Sequence, residues 1–245
     1  MHQIIDKINK APELGEYFSA SIQGEINICP QLISFVNPYS YMKLRRDESC
    51  SSAVDFYYSD AISSSLLFSL LLRRKVSRIS FDYGSFGLDF LTRVATAGAP
   101  VYFIGAQENE IEKTIGVFKA NHPGLNVVGY RHGYFAHDDQ ASIVADEIVA
   151  TGAKYVVCGM GTPYQELFGR LLKDKGAGVI AQIYTCGGFL HQSKIDIHYY
   201  PELINRFHLR WLYRSFKEKH VFKRLMVQYP QFLLYVILDF IFYTE

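Results

Sequence analysis

The sequence predicts an α/β fold in which a mainly parallel sheet is flanked by helices, followed by a C-terminal basic amphipathic helical appendage. Short apolar runs alternate with segments of helical periodicity as far as residue 184, which is typical of βαβ units. After Pro201 this alternation ends, and a stripe of basic residues beside a stripe of apolar ones takes its place.

Helices are predicted where apolar residues recur three or four positions apart. In segment 86–97, Leu88, Leu91 and Val94 share one face, and Gly98 closes the helix. Strands are predicted where a short apolar run ends in a turn. In chain order, we predict a strand at 32–36, helices at 61–72 and 86–97, a strand at 101–104, a helix at 111–120, a strand at 126–129, a helix at 140–150, a strand at 155–158, a helix from 163 and a strand at 178–184.

The size and composition favour one large domain with a terminal appendage, which we divide at 1–200 and 201–245. The chain has 245 residues, of which 49% are hydrophobic, so a sizeable core is expected. Its four cysteines are far apart and form no CxxC pair, which indicates reduced thiols of a cytoplasmic protein and no metal site. We find no secretory signal and no apolar run of roughly 20 residues that would span a membrane.

Positive charge gathers near the C-terminus although the net charge is only +1. Residues 206–224 contain seven Lys or Arg and one acid, Glu218. We expect Pro230 to end this basic helix and a very apolar tail, interrupted by Asp239, to follow at 232–243. The pattern favours an anionic membrane surface as partner over nucleic acid. The alternative is a terminal helix that packs on the domain with its basic face solvated.

Residues 155–169 contain the most informative local motif, an apolar run that breaks at Gly159-Met160-Gly161. Thr162 is the expected N-cap of the next helix and Pro163 its first residue. Gln165 and Glu166 then fall in the first helical turn, at the carboxyl end of a strand. Such positions attract phosphate through free amide N–H groups and the helix dipole. A tight turn without a ligand is the alternative for this motif taken alone.

Several motifs together resemble the WecG/TagA/CpsF family, glycosyltransferase family 26. They are Val101–Gly105, His122-Pro-Gly-Leu, Val128 to Phe135, Gly159 to Glu166, Gly187-Gly188 and Trp211-Leu-Tyr-Arg214. The resemblance implies a Rossmann-like core and a membrane-binding C-terminal appendage. It also implies metal- and cofactor-independent, inverting transfer of a sugar from a UDP donor to a polyprenyl-diphosphate-linked acceptor, in bacterial cell-surface polysaccharide synthesis. The enzyme is then expected in the cytoplasm, peripheral on the inner face of the cell membrane.

The resemblance also implies roles for individual residues. Asp60, in Tyr58-Ser59-Asp60-Ala61, matches the family's general base, although the residues alone favour a helix cap. Arg78 matches an arginine that could pair with a diphosphate or a sugar carboxylate, with a solvated or structural arginine as the alternative. Gln165 is assigned to the sugar nucleotide, and Glu166 to the site or its support. The implied substrate-binding set is Asn37, Arg78, Gly105, Gly133, Tyr134, Gly159, Gly161, Thr162, Gln165, Glu166, Gly187, Arg214 and Arg224.

Some positions depart from the family pattern. His191 stands where an aspartate is usual after the Gly-Gly pair, and we assign it no catalytic role. The other departures are Tyr199-Tyr200-Pro201, Arg210 and Val221. They leave open a catalytically weak scaffold that binds UDP or a lipid diphosphate within a polysaccharide assembly complex. A dinucleotide-dependent oxidoreductase is disfavoured, because neither Gly105-Ala-Gln-Glu-Asn nor Gly159-Met-Gly-Thr-Pro is a GxGxxG turn.

Overall fold

A six-stranded parallel sheet forms the centre of the computed structural model, with strand order β2-β1-β6-β5-β3-β4. The structure describes residues 3–25, 29–193 and 219–244; for residues 138, 219–227 and 243–244 it describes the backbone only. The strands are β1 (Gln31–Val36), β2 (Phe56–Ser59), β3 (Val101–Gly105), β4 (Val127–Arg131), β5 (Tyr155–Gly159) and β6 (Gln182–Thr185). The predicted α/β fold with a parallel sheet is confirmed.

Helices cover both faces of the sheet. They are α1 (Gln3–Lys10), α2 (Leu14–Ile22), α3 (Pro38–Leu44), α4 (Glu48–Ala53), α5 (Ile62–Leu72), α6 (Phe86–Ala97), α7 (Glu108–Asn121), α8 (Asp138–Ala150), α9 (Tyr164–Lys175), α10 (Phe189–Gln192) and α11 (Lys219–Thr244). One apolar layer holds the inward faces of α1, α3, α8, α9 and α11. The other holds those of α2, α6 and α7, where Phe18 stacks on Phe90 at 5.1 Å.

The strand order reverses between the neighbouring parallel strands β3 and β5, because β3 is followed by β4 on one side and β5 by β6 on the other. Helix α7, which follows β3, contributes Ile111 and Phe118 to one apolar layer, whereas α9, which follows β5, contributes Phe168 and Leu172 to the other. The connections that leave these two strands therefore diverge to opposite faces. Open α/β sheets bind ligands in the crevice that this divergence leaves at the carboxyl ends of the strands.

Helix α11 corrects the prediction for Pro230, which lies inside the helix and does not end it. An internal proline costs a helix about 3 kcal/mol. Burial offsets this cost, because Phe232 and Val236 are buried in the layer that contains α3, and each such side chain contributes about 1.5–3 kcal/mol. The apolar tail at 232–243 is therefore helical. Among the described residues, no helix combines the length and apolar character needed to cross a bilayer.

Other element boundaries also differ from the prediction; α7, for example, begins at Glu108 and not at 111. Pro163 is the N-cap of α9 and the helix begins at Tyr164, so Thr162 is not the cap. The last strand begins at Gln182 and not at 178, because Gly178 has a φ of +78° and residues 176–180 form a turn. The domain boundary predicted after residue 200 and most of the basic segment 206–224 lie outside the described residues, and the boundary stays a prediction.

Candidate active site

A cleft of about 660 Å³ opens at the carboxyl ends of all six strands. Nine predicted site residues line it: Asn37, Asp60, Gly133, Tyr134, Gly159, Gly161, Thr162, Gln165 and Gly187. Arg78, Gly105 and Glu166 are not in its lining, but each contacts a residue that is. Arg214 and the side chain of Arg224 lie outside the described residues. The tertiary structure thus brings Asp60 into the same cleft as the turn that follows β5.

Asp60 directly follows β2 and its side chain is 33% exposed. Its backbone N–H donates to the Val36 carbonyl at 2.7 Å, which fixes it beside the end of β1. The N-cap of α5 is Ala61, so Asp60 does not cap this helix. A half-exposed carboxylate held at the base of a cleft is suited to accept a proton from a bound hydroxyl group.

Arg78 lies behind Asp60 and ties it to a second acid. Its Nε donates to the Asp60 carbonyl oxygen at 3.0 Å, and its Nη2 lies 3.5 Å from Asp60 Oδ1. Nη2 also donates to Ser80 Oγ at 2.7 Å and lies 3.4 Å from Asp82 Oδ2. Ser80 and Asp82 line the cleft, although no sequence motif predicted them as site residues. In the sequence, the one indication of this contact is the position of Asp82, four residues after Arg78.

Asn37 follows β1 and has a clear structural task. Its Oδ1 accepts from the backbone N–H groups of Tyr39 at 3.0 Å and Ser40 at 3.1 Å, so it caps α3. The Ser40 hydroxyl accepts from the Asn37 N–H at 2.9 Å and completes a capping box. The side-chain oxygen of Asn37 is thus engaged in capping α3, and its NH₂ group is the part that can bind a ligand.

Glu166 lies fully buried beneath the cleft. Its Oε1 accepts from Ser34 Oγ at 3.0 Å, Gln165 Nε2 at 3.0 Å and Thr162 Oγ1 at 3.2 Å. Burial raises the pKa of Glu166 above its ordinary value, although these hydrogen bonds oppose the shift. Gln165 Oε1 in turn accepts from the Gly187 N–H at 3.1 Å. Gln165 thus connects the turn after β5 to the turn after β6.

Three glycines allow the ends of the central strands to approach closely. Gly105 has a φ of +150°, and a Cβ atom there would collide with the carbonyl group of Gly159. A Cβ atom on Gly133 would lie 2.6 Å from Met160 Cγ and 2.9 Å from Gly105 Cα. At these predicted site glycines, the missing side chain permits close backbone packing at the cleft wall.

The far wall of the cleft holds residues that the sequence analysis missed or discounted. His191 Nδ1 lies 2.8 Å from Oε2 of Glu110, and both residues line the cleft. Gln228 and Tyr229 of α11 also line the cleft, on the side of Asp60. Burial raises the pKa of Tyr229. Within the described part of the chain, the lining contains three carboxylates, Asp60, Asp82 and Glu110, and no Lys or Arg.

The sequence model of the "Glycosyl transferase WecG/TagA/CpsF family" matches residues 4–244. The chain belongs to this family. It is therefore a glycosyltransferase, and the resemblance that the motifs indicated is confirmed. The cleft at the strand ends, with Asp60 on one side and the β5 turn in the middle, is the candidate active site of this family member.

Two relatives with established names cover most of the chain. The UDP-Gal:alpha-D-GlcNAc-diphosphoundecaprenol beta-1,4-galactosyltransferase of Shigella boydii is 33% identical over 203 residues, which is 83% of this chain and 84% of that protein. The N-acetylglucosaminyldiphosphoundecaprenol N-acetyl-beta-D-mannosaminyltransferase of Bacillus spizizenii is 29% identical over 199 residues, 81% of this chain and 74% of that protein. Both names describe transfer of a sugar to a lipid-linked acceptor.

Proposed function

We propose that this glycosyltransferase moves a hexose, N-acetylhexosamine or uronic acid from a UDP donor to a polyprenyl-diphosphate-linked acceptor, in the synthesis of bacterial cell-surface polysaccharide. The names of both relatives support the acceptor class, since each includes a diphosphoundecaprenol carrying N-acetylglucosamine. The structural observation that carries the proposal is the position of Asp60, which lines one cleft together with Gly161 and Thr162 of the β5 turn.

Asp60 acts as the general base in this proposal. The acceptor hydroxyl attacks the anomeric carbon of the donor sugar from the face opposite the leaving UDP, so the configuration is inverted. As the new C–O bond forms, Asp60 takes the hydroxyl proton and the bond to UDP breaks with its electron pair. Arg78 holds the backbone of Asp60 in place, and Asn37 and Gln165 form the neighbouring wall of the sugar site.

The leaving diphosphate needs positive partners that the described cleft lining does not supply. The amide groups of the β5 turn and the N-terminus of α9 supply part of the field. Segment 206–224 contains seven Lys or Arg, including Arg214 and Arg224. Its continuation, α11, brings Gln228 and Tyr229 to the cleft, which supports a role for these basic residues in binding the diphosphate.

Helix α11 suggests a membrane surface as a further partner, because it buries its charged residue and exposes apolar side chains. Its one charged residue between 228 and 242, Asp239, is buried against the protein. Its outward face carries six exposed apolar side chains: Leu233, Leu234, Ile237, Leu238, Ile241 and Phe242. Such a face, next to a basic segment, is suited to lie in the interface of an anionic bilayer. The enzyme would then work peripherally, on the inner face of the membrane that holds its lipid-linked acceptor.

The deciding experiment tests a panel of UDP-sugars against a polyprenyl-diphosphate-linked N-acetylglucosamine, with products identified by mass spectrometry. We expect one donor to be transferred by the wild type and Asp60→Asn to lower kcat by about 10²–10⁴-fold. The affinity for UDP should stay within about twofold, because Asp60 faces the acceptor hydroxyl and not the nucleotide. Asp146→Asn, at an exposed ion pair with Lys175, is the control.

The outcomes separate the two candidate functions. Unchanged turnover in Asp60→Asn rejects Asp60 as the base. UDP binding without transfer from any donor by the wild type would favour the alternative, a scaffold that binds UDP or a lipid diphosphate within a polysaccharide assembly complex.

A further inference from the structure

Glu110 and His191 form a second pair of ionisable side chains in the cleft, and the transfer step proposed above does not use them. The distance between His191 Nδ1 and Glu110 Oε2 is 2.8 Å. The Glu110 side chain is only 9% exposed, whereas that of His191 is 57% exposed. A buried carboxylate thus supports an imidazole ring that is open to the cleft.

Further hydrogen bonds hold Glu110 and the helix that carries His191 in place. Glu110 lies in the first turn of α7, where its Oε2 also accepts from the backbone N–H of Gln107 at 3.2 Å. The short helix α10, which carries His191, is attached to α7 by the Thr114 hydroxyl, which donates to the Leu190 carbonyl at 2.7 Å. The orientation of the imidazole is therefore set before any ligand binds.

This arrangement also selects the tautomer. A carboxylate accepts hydrogen bonds, so Glu110 favours the ring form with its hydrogen on Nδ1. Nε2 then presents a lone pair, which suits a ligand group that donates a hydrogen bond. A hydroxyl group fits this requirement, whereas a phosphate oxygen does not and would also face the charge of Glu110.

The strand order indicates which part of the donor reaches His191. Asp60 follows β2, Gly161 and Gly187 follow the central strands β5 and β6, and α7, whose first turn carries Glu110, follows β3. Adjacent strands lie about 4.8 Å apart, so β2 and β3 are separated by roughly 19 Å. With the reacting sugar at Asp60 and the diphosphate over the central turns, the nucleoside extends towards β3.

We infer that His191, oriented by Glu110, binds a ribose hydroxyl of the donor nucleotide by accepting its hydrogen bond at Nε2. The inference rests on the proposed UDP-sugar transferase function and names a binding residue for its nucleoside. Glu110 is a positioning residue that acts through His191. His191 stands where the family usually has an aspartate, so this position still presents a hydrogen-bond acceptor to the cleft.

The test compares the affinities of UDP, 2′-deoxy-UDP and 3′-deoxy-UDP for the full-length wild type and His191→Ala, measured by calorimetry. One neutral hydrogen bond corresponds to a loss of about 3- to 10-fold in affinity. We expect that loss for His191→Ala with UDP, and for the wild type with one of the two deoxy analogues. The same analogue should bind His191→Ala as tightly as UDP does, because the contact is already absent.

Two further variants separate ligand binding from a structural effect. Glu110→Gln keeps an oxygen that can accept from Nδ1 and from the α7 cap, so we expect a smaller loss than in His191→Ala. His137→Ala, at an exposed position at the start of α8, should bind UDP like the wild type. In turnover assays, His191→Ala should raise KM for the UDP-sugar by about 3- to 10-fold, with kcat within about twofold.

Wild-type affinity for UDP in His191→Ala overturns the inference. The inference also fails if His191→Ala weakens the binding of UDP and of both deoxy analogues by the same factor. His191 would then not contact a ribose hydroxyl. A wild type that binds no UDP contradicts the proposed function itself, which keeps the two failures distinct.

Discussion

Asp239 of α11 and Arg45 at the end of α3 form a buried ion pair. Arg45 Nη2 lies 2.7 Å from Asp239 Oδ1, and Arg45 Nε donates to Oδ2 at 2.9 Å. The Tyr41 hydroxyl donates to the same Oδ2 at 2.8 Å, and burial raises the pKa of Tyr41. Because α3 is capped by Asn37 at its other end, one short helix connects the attachment site of α11 to the cleft.

Asp239→Asn should reduce the free energy of unfolding by about 3 kcal/mol, because breaking a buried ion pair leaves the Arg45 charge without its partner. Urea denaturation measures the change. Asp174→Asn is the control, since its pair with Arg170 spans 4.0 Å and both side chains are mostly exposed. That substitution should cost less than about 0.5 kcal/mol. Equal effects of the two substitutions would refute the anchoring role of Asp239.

The double substitution Leu234→Glu and Ile237→Glu should weaken binding to vesicles of phosphatidylcholine and phosphatidylglycerol. Both side chains are exposed on the outer face of α11, so the change should remove membrane contact with little effect on folding. Flotation of the protein with vesicles provides the measurement. Leu88→Glu, at an exposed position on α6, is the matched control and should bind as before. Undiminished flotation of the double variant would exclude the outer face as the contact surface.

Glu166→Gln should gain stability relative to the wild type as the pH rises. Burial raises the pKa of folded Glu166 above its ordinary value of 4.5. Folding thus favours the protonated acid, and wild-type stability falls as the pH rises through and above that value. Glutamine carries no charge, and its oxygen can still accept from Ser34 and Gln165. We expect the difference in unfolding free energy to move in favour of the variant between about pH 4 and about pH 7, by urea titration. A difference that is independent of pH would contradict the burial argument.

Gly105→Ala and Gly161→Ala should differ sharply. Both glycines have positive φ, but a Cβ atom at 105 would collide with the Gly159 carbonyl, whereas nothing lies within 4 Å of one at 161. Gly161→Ala should therefore cost only the conformational strain, about 1–2 kcal/mol. Gly105→Ala must also separate β3 from β5, so we expect a larger loss of stability together with loss of UDP binding. Thermal unfolding and calorimetry measure both, and similar losses in the two variants would argue against close packing at the strand ends.

Local sequence patterns predicted most strands of the sheet. They failed for elements whose position depends on packing against distant residues. Strands β1, β3, β4 and β5 and helix α6 lie within one or two residues of their predicted positions. Strand β2 was missed, because Phe56–Ser59 is only four residues long and owes its place to pairing with β1. Pro230 is a local signal for a helix end, yet the burial of Phe232 and Val236 holds α11 together across it.

The candidate site shows the same division at the level of side chains. Asp60 and Gln165 were identified through family motifs, which are short stretches of sequence. Asp82, Glu110 and Tyr229 were not, because none of them belongs to such a motif. Their contribution depends on which loops meet above the sheet.

The α/β class, the family and the strand-turn-helix motif after β5 can be predicted from local sequence, because each depends on residues close together in the chain. The burial of Asp239, the exposed apolar face of α11 and the contact between Glu110 and His191 became visible only in the folded chain. Strand order and helix packing join residues far apart in sequence, such as Arg45 and Asp239. No local periodicity records such contacts, since they arise from the burial of apolar surface summed over the whole chain.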